Sequence, residues 1–246
     1  MTSVTWIPAD WPAPPGITGG ATCRGGGVSR NSYASLNLAA HVGDDERRVQ
    51  VNRRRFVTAC GLPDEPAWLS QVHGTTVVRA EDAQDCNGAD AIVTRSAARV
   101  CAILTADCLP VLFVSADGRE IAAAHAGWRG LCGGVLEATV AAFEAPPSGL
   151  MAWFGPAISQ RAFEVGDDVR DRFVGQDSAA AGCFDENPVG RWQADLYGLA
   201  RLKLRSVGVT KLYGGGRCTF GEPEAFFSYR RDGQCGRMAT FVFRAG

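Results

Sequence analysis

Side chains able to carry chemistry are few in this 246-residue chain: three histidines and, among nine cysteines, one in an unusual setting. Each histidine stands beside Gly or Asp at a predicted strand end or loop, in Ala40-His41-Val42-Gly43-Asp44, Gln71-Val72-His73-Gly74 and Ala124-His125-Ala126-Gly127-Trp128. Cys108 follows Ala106-Asp107 at the end of a buried-type strand, just before Leu109-Pro110. Asp107 is the only formal charge between Arg99 and Asp117, and a charge in so apolar a run requires a partner or a function. The two imidazoles of His73 and His125 and the thiolate of Cys108 form a borderline-soft donor set suited to Zn²⁺, with a fourth position open for water. Their wide spacing, without any CxxC-type pair, fits a catalytic site assembled by the fold better than a structural zinc site. The same atoms also support a metal-free thiol enzyme, with Cys108 as nucleophile and His125 or His73 as its base. Three histidines exclude the four-copper cluster of a true laccase within one chain.

The other candidates read more plainly. Cys60, Cys101 and Cys132 fall on predicted apolar faces as small core residues. Cys23, Cys86, Cys183 and Cys235 lie in loops, and Cys218 stands at a strand end in Gly216-Arg217-Cys218-Thr219. An odd cysteine count with no close pair argues for a reducing compartment rather than a disulfide scaffold. Gly25-Gly26-Gly27 and Gly214-Gly215-Gly216 match neither GxGxxG nor a Walker pattern and open no helix, so both read as turns.

These residues need elements to hold them. Asp44 and Asp45 offer N-cap chemistry for a helix to about Cys60, stopped by Gly61 and Pro63. Val49, Phe56 and Cys60 share its apolar face with Asn52 and Arg53, and an arginine there needs an acidic, phosphate or backbone partner. Strands are predicted over Tyr33–Leu38, Thr75–Arg79, Ala89–Thr94, Val100–Thr105, Leu109–Ser115 and Glu120–Ala124, with Ala116-Asp117-Gly118 as a hairpin-like turn. A helix follows over about Gly130–Phe143, then a strand over Leu150–Phe154, helices over Asp167–Phe173 and Asp195–Val207, and strands over Lys211–Tyr213, Ala225–Tyr229 and Met238–Phe243. Strands in adjacent runs, with helices not strictly alternating, predict an α+β fold with mixed sheets and flanking helices, read as one domain over residues 1–246.

Acidic and basic residues nearly cancel, at a net charge of -1, which disfavours nucleic acid and anionic membranes as partners. Residues 1–20 contain two Trp and four Pro but neither a basic start nor an apolar run. The most apolar stretch, Val100–Val114, is interrupted by Asp107 and Pro110. The expectation is a cytoplasmic enzyme of small molecules.

Longer blocks carry a resemblance. Gln71-Val72-His73-Gly74, Thr105-Ala106-Asp107-Cys108-Leu109-Pro110-Val111-Leu112 and Ala122-Ala123-Ala124-His125-Ala126-Gly127-Trp128-Arg129-Gly130 resemble the signature blocks of the YfiH-like family, also called laccase-domain or multicopper-polyphenol-oxidase-like. Ser35-Leu36-Asn37-Leu38, His41-Val42-Gly43-Asp44-Asp45, Gly155-Pro156-Ala157-Ile158, Phe163-Glu164-Val165-Gly166, Cys218-Thr219, Phe226-Phe227-Ser228-Tyr229-Arg230-Arg231-Asp232-Gly233 and Gly236-Arg237-Met238 extend it over nearly the whole chain from Gly16. The resemblance implies a single α+β domain and a metal, usually zinc, held by His73, Cys108 and His125. It also implies purine nucleoside phosphorylase activity, accompanied by adenosine deaminase and methylthioadenosine phosphorylase activities. Some relatives are linked instead to peptidoglycan-precursor editing, which would be amidase chemistry on the same metal, and older names imply a copper-dependent polyphenol oxidase. For the chemistry, Asp107 is the first choice of acid/base, with orientation of a histidine as its other reading. Arg53 and Arg129 are the candidate phosphate cations, and His41 a ribose or phosphate ligand. Phe227 or Trp128 would stack on the base. The chain departs from the family at Arg30-Asn31-Ser32, where Gly-Pro is frequent, and at Cys235, where Thr is frequent.

Overall fold

The computed structural model describes residues 3–81, 86–97 and 99–245. Two sheets stack at its centre. One is antiparallel, in the order β1 (Trp6–Pro8), β2 (Ile17–Thr22), β13 (Met238–Arg244), β5 (Val100–Thr105). The other is mixed, in the order β12 (Lys211–Gly214), β8 (Leu150–Phe154), β6 (Leu109–Ser115), β7 (Ile121–Ala126), β4 (Ala91–Thr94), β3 (Val77–Arg79). Only its edge pairs, β12–β8 and β3–β4, are parallel. A small third sheet joins β10 (Phe184–Glu186), β11 (Trp192–Ala194) and β9 (Glu164–Val165).

The apolar run of β6 is buried throughout, and its period of two divides it between layers. Leu112 and Val114 meet Cys101, Ile103 and Val242 between the sheets. Val111 and Phe113 face the helical side, built from α2 (Trp128–Gly133), α3 (Val135–Ala141), α4 (Asp167–Val174) and α5 (Leu196–Ser206). On the far side of the four-stranded sheet, Ala102, Leu104 and Phe241 pack on Leu36, Leu38 and on Phe56 and Cys60 of α1 (Glu46–Cys60). The layers therefore run helix, sheet, sheet, helices, an α+β fold with mixed sheets as expected from the sequence. Among the described residues no helix is long and apolar enough to cross a membrane.

Helix α1 has the predicted limits. Asp45 accepts hydrogen bonds from the Arg47 and Arg48 amides, a cap worth about 1 kcal/mol, and Gly61 ends the helix in the left-handed region. Three other expectations are corrected. The Tyr33–Leu38 strand is absent: a 3₁₀ turn, Asn31–Tyr33, leads into irregular chain whose carbonyls at Ser35 and Asn37 accept hydrogen bonds from the buried Asn52 amide. The Ala225–Tyr229 strand is also absent. Phe226 and Phe227 are buried individually, and a helical turn, α6 (Tyr229–Asp232), starts at Ser228, whose hydroxyl accepts from the Arg231 amide. The helix over Gly130–Phe143 is two helices broken at Gly134 (φ +100°). The sequence reading did not anticipate β1 and β2. In β2, Gly20 sits so close to Ile7 and Trp6 of β1 that a Cβ would overlap them, and such a strand carries no apolar alternation to read.

The decisive link is short. β5 belongs to one sheet and β6 to the other, and the chain crosses between them through Ala106, Asp107 and Cys108. Asp107 takes φ +93° to make that turn, which places Cys108 at the seam of the two sheets.

Candidate metal centre

Three ligand-capable side chains converge at this seam. His73 comes from the loop before β3, Cys108 from the crossover and His125 from β7, and their donor atoms lie within 4.8 Å of one another. The Cys108 sulfur is 3.7 Å from His73 Nε2, and the two imidazoles meet edge to face with centroids 4.7 Å apart. Among the described residues this is the one cluster of three metal-ligating side chains.

Asp90, just before β4, organises two of the three. It is fully buried, and its carboxylate accepts hydrogen bonds from the amides of Val72 (3.2 Å), His73 (2.9 Å) and Gly74 (2.6 Å). Those bonds hold the His73 loop, in which His73 itself has φ +62°. The same carboxylate lies 2.8 Å from His125 Nδ1, and the Asp90 carbonyl accepts from the His125 amide. Burial pushes the Asp90 carboxyl up, but the hydrogen bonds from His125 and the loop amides outweigh it and hold it below the usual range. An ionised carboxylate only accepts, so His125 Nδ1 carries the proton and Nε2 is left for a metal. For Cys108, burial raises the thiol, but the neighbouring His125 and His73 outweigh it and bring it down to about 6, favouring the thiolate that a metal requires. The His125 imidazole is raised in turn: burial opposes its charge, but Cys108 and Asp90 favour it.

Gly127 completes the fit. A Cβ there would lie 2.9 Å from His73 Cδ2, 3.0 Å from the Cys108 sulfur and 3.4 Å from His125 Nε2. Beyond it, Gly130 of α2 is packed so tightly on the Gly74 carbonyl that a methyl group would sit 2.7 Å away. The donor set, the fixed tautomer and the close approach of a side-chain-free Gly127 to the trio together suit a small, borderline-soft divalent ion.

The trio opens into a cavity of about 350 Å³, lined also by His41, Gln71, Leu104, Thr105, Ala106, Tyr229 and Arg237. This size falls at the lower end of small-ligand pockets, roughly 300–1,000 Å³. His73, Cys108, His125 and His41 are thus brought together, and the other candidates are placed elsewhere. Asp107 does not line the cavity. One carboxylate oxygen accepts from the Thr219 hydroxyl (2.6 Å) and the other from the Arg230 amide (2.7 Å), so the structure shows Asp107 tying the first turn of α6 to the Thr219 segment. Phe227 is fully buried beneath the Arg24 guanidinium and presents no face to a ligand. Arg129 stacks on Trp128 in a separate depression with Arg172 and Gln176, away from the cavity beside the trio. Arg53 is spent on the Leu38 carbonyl, on the Trp68 ring and on Glu65 at 3.7 Å.

Asp90 escaped the sequence reading, and Tyr229 and Arg237 enter it only within family blocks. Asp90 carried a usable signal, a charge beside the apolar Ala91–Val93, the same argument applied to Asp107. Gln71, like Tyr229 and Arg237, is visible only as part of its block. Its amide pairs with both the amide and the carbonyl of Leu104, fastening the His73 loop to β5.

Comparison with known proteins agrees with this architecture. Residues 18–245 match the family described as multi-copper polyphenol oxidoreductase laccase. The Escherichia coli (strain K12) protein named purine nucleoside phosphorylase YfiH is 49% identical over 238 residues, covering 96% of this chain and 98% of its own. The crystal structure of Neisseria meningitidis protein NMB0706 superposes with a TM-score of 0.94 at 50% identity, covering 98% and 99% of the two chains. YlmD from Geobacillus stearothermophilus superposes at 0.91 and 33% identity, covering 100% and 98%. The chain belongs to the YfiH-like family of laccase-domain proteins.

Proposed function

We propose that the chain is a zinc-dependent purine nucleoside phosphorylase, acting also on methylthioadenosine and deaminating adenosine. The observation that carries the reading is the His73–Cys108–His125 trio, oriented by Asp90, facing a cavity of nucleoside size. Relatives of near 50% identity bearing the phosphorylase name support it. Zn²⁺ on those side chains, or Cu²⁺ as the alternative occupant of the same donor set, would supply a Lewis acid with an open position.

In phosphorolysis the bond between ribose C1′ and the base nitrogen breaks, its electron pair leaves with the base, and a phosphate oxygen bonds to C1′. The base gains a proton and ribose 1-phosphate is released. With His73, Cys108 and His125 committed to the metal, Tyr229 is the cavity residue left to supply that proton. Asp90 keeps the His125 ring fixed while charge moves, and Asp107 keeps Tyr229 over the cavity through the Arg230 amide. The substrates are small purine nucleosides and phosphate, without nucleic acid or membrane partners, in a cytoplasmic setting.

Metal analysis of the purified protein, followed by incubation with inosine, adenosine and methylthioadenosine with and without phosphate, tests this. Free base and ribose 1-phosphate, dependent on phosphate and lost in Cys108→Ala, are expected. Turnover of none of them, with activity on a peptidoglycan precursor or a phenol, overturns the reading. Full activity after metal removal transfers the chemistry to the Cys108 thiol.

A further inference from the structure

The wall of the cavity facing the metal trio carries cations without counter-charges. His41 and Arg237 both line it, from loops far apart in sequence. Among the described residues Arg237 makes no ion pair; its guanidinium donates to the Cys235 and Gly236 carbonyls, approaches the Cys235 sulfur and lies over the Tyr229 ring, 5.8 Å from its centroid. The His41 side chain makes no hydrogen bond among the described residues. Burial lowers its imidazole first, and the positive charges of Arg237 and Arg53 lower it further. Arg53 shares its charge with Glu65, so Arg237 is the uncompensated one.

The fold holds these like charges together. The buried Asn37 carbonyl oxygen accepts from the amides of Arg237 and Ala39, and its amide donates to Ala39 and Asp44. The Leu38 amide donates to the Arg237 carbonyl, and Gln234 donates to the Val42 carbonyl. The 37–44 loop and the 234–237 loop are thereby stitched into one rigid wall. Cations held close at a cavity wall without a carboxylate form a preorganised anion site, since their mutual repulsion is relieved only when a ligand brings the charge.

We propose that Arg237 and His41 form the oxyanion subsite of the cavity, taking inorganic phosphate or an equivalent tetrahedral anion beside the metal centre. This rests on the phosphorolysis reading for its purpose, though not for its chemistry. It replaces Arg53 and Arg129, which are engaged elsewhere. The guanidinium supplies a forked donor pair, and His41 supplies either a neutral donor or, once the anion is present, a positive charge.

Direct binding of inorganic phosphate to the metal-loaded protein, measured by calorimetry, tests the subsite apart from catalysis. Arg237→Gln weakens phosphate binding by about 10- to 100-fold, the loss of a charge-assisted contact, with metal content unchanged. His41→Asn, in the other loop, weakens it less and guards against a folding defect in the first variant. In turnover, both raise KM for phosphate far more than KM for nucleoside. Unaltered phosphate affinity in both variants, or no phosphate binding by the wild type in the presence or absence of nucleoside, overturns the subsite. If phosphate binds in an Arg237-dependent way and no nucleoside is cleaved, the subsite stands and the phosphorolysis reading falls.

Discussion

Asp90 and Asp107 are both carboxylates buried among apolar strand ends, 0% and 8% exposed, and they organise opposite halves of one cavity. Asp90 spends its carboxylate oxygens on three successive loop amides and on His125, so its side chain serves the candidate metal centre alone. Asp107 adjoins the candidate ligand Cys108 in sequence, yet its oxygens reach Thr219 and the Arg230 amide, more than a hundred residues away. One aspartate sets ligand orientation, and the other anchors the segment that brings Tyr229, 60% exposed, over the opening. Adjacency in sequence was therefore the wrong guide to which carboxylate contacts the candidate ligand histidines. The carboxylate that aims the histidines follows Ala89 and leads into a different strand.

That contrast can be broken by substitution. Asp90→Ala should have the largest effect, destabilising the fold by about 3–5 kcal/mol because buried partners are left unpaired. The milder Asp90→Asn should weaken metal binding about 10- to 100-fold, read by chelator competition. Gly127→Ala comes next: a methyl group 3.0 Å from the Cys108 sulfur should expel most of the metal while the melting temperature without metal changes little. Asp107→Ala should cost about 1–3 kcal/mol, measured by urea unfolding, and should retain metal. If it loses metal as Asp90→Asn does, the division of labour is wrong.

The smallest effect belongs to a carboxylate outside both halves. Glu81 is more exposed and caps the chain after β4, accepting from the Thr94 hydroxyl and the Arg95 and Ser96 amides. Burial raises its carboxyl, but those bonds prevail and hold it at about 2, against an ordinary 4.5. A depressed carboxylate stabilises above its ordinary value and loses that contribution as pH falls from 4.5 through about 2. Exposure limits this to under about 1 kcal/mol. Glu81→Gln should flatten the acid limb of the melting curve in that window and leave metal binding unchanged.

Much of the fold was legible where the signal is local. The limits of Val100–Thr105 and Leu109–Ser115 agree with β5 and β6 because an apolar run bounded by turn residues has few other solutions. The Asp45 cap and Gly61 stop marked α1 for the same reason. The Phe226-Phe227 pair misled because β-propensity registers bulk and burial, not whether a partner strand lies alongside. Phe227 drew attention as an aromatic candidate, while Tyr229, two residues on, is the ring that reaches the cavity.

The sequence by itself determined which atoms are available: a His₂Cys set without any CxxC pair, too few histidines for a multicopper cluster, and strands apolar enough to stack two sheets. Those properties depend on residue type and short-range period. Tertiary structure alone decided that Asp90 serves the ligands, that Asp107 reaches away from them, and that Arg237 rather than Arg53 faces the cavity beside His41. Each of those outcomes depends on hydrogen bonds between segments up to 200 residues apart, as between Asn37 and Arg237. A local pattern shows that a buried charge must find a partner, and only the closed fold specifies which partner it finds.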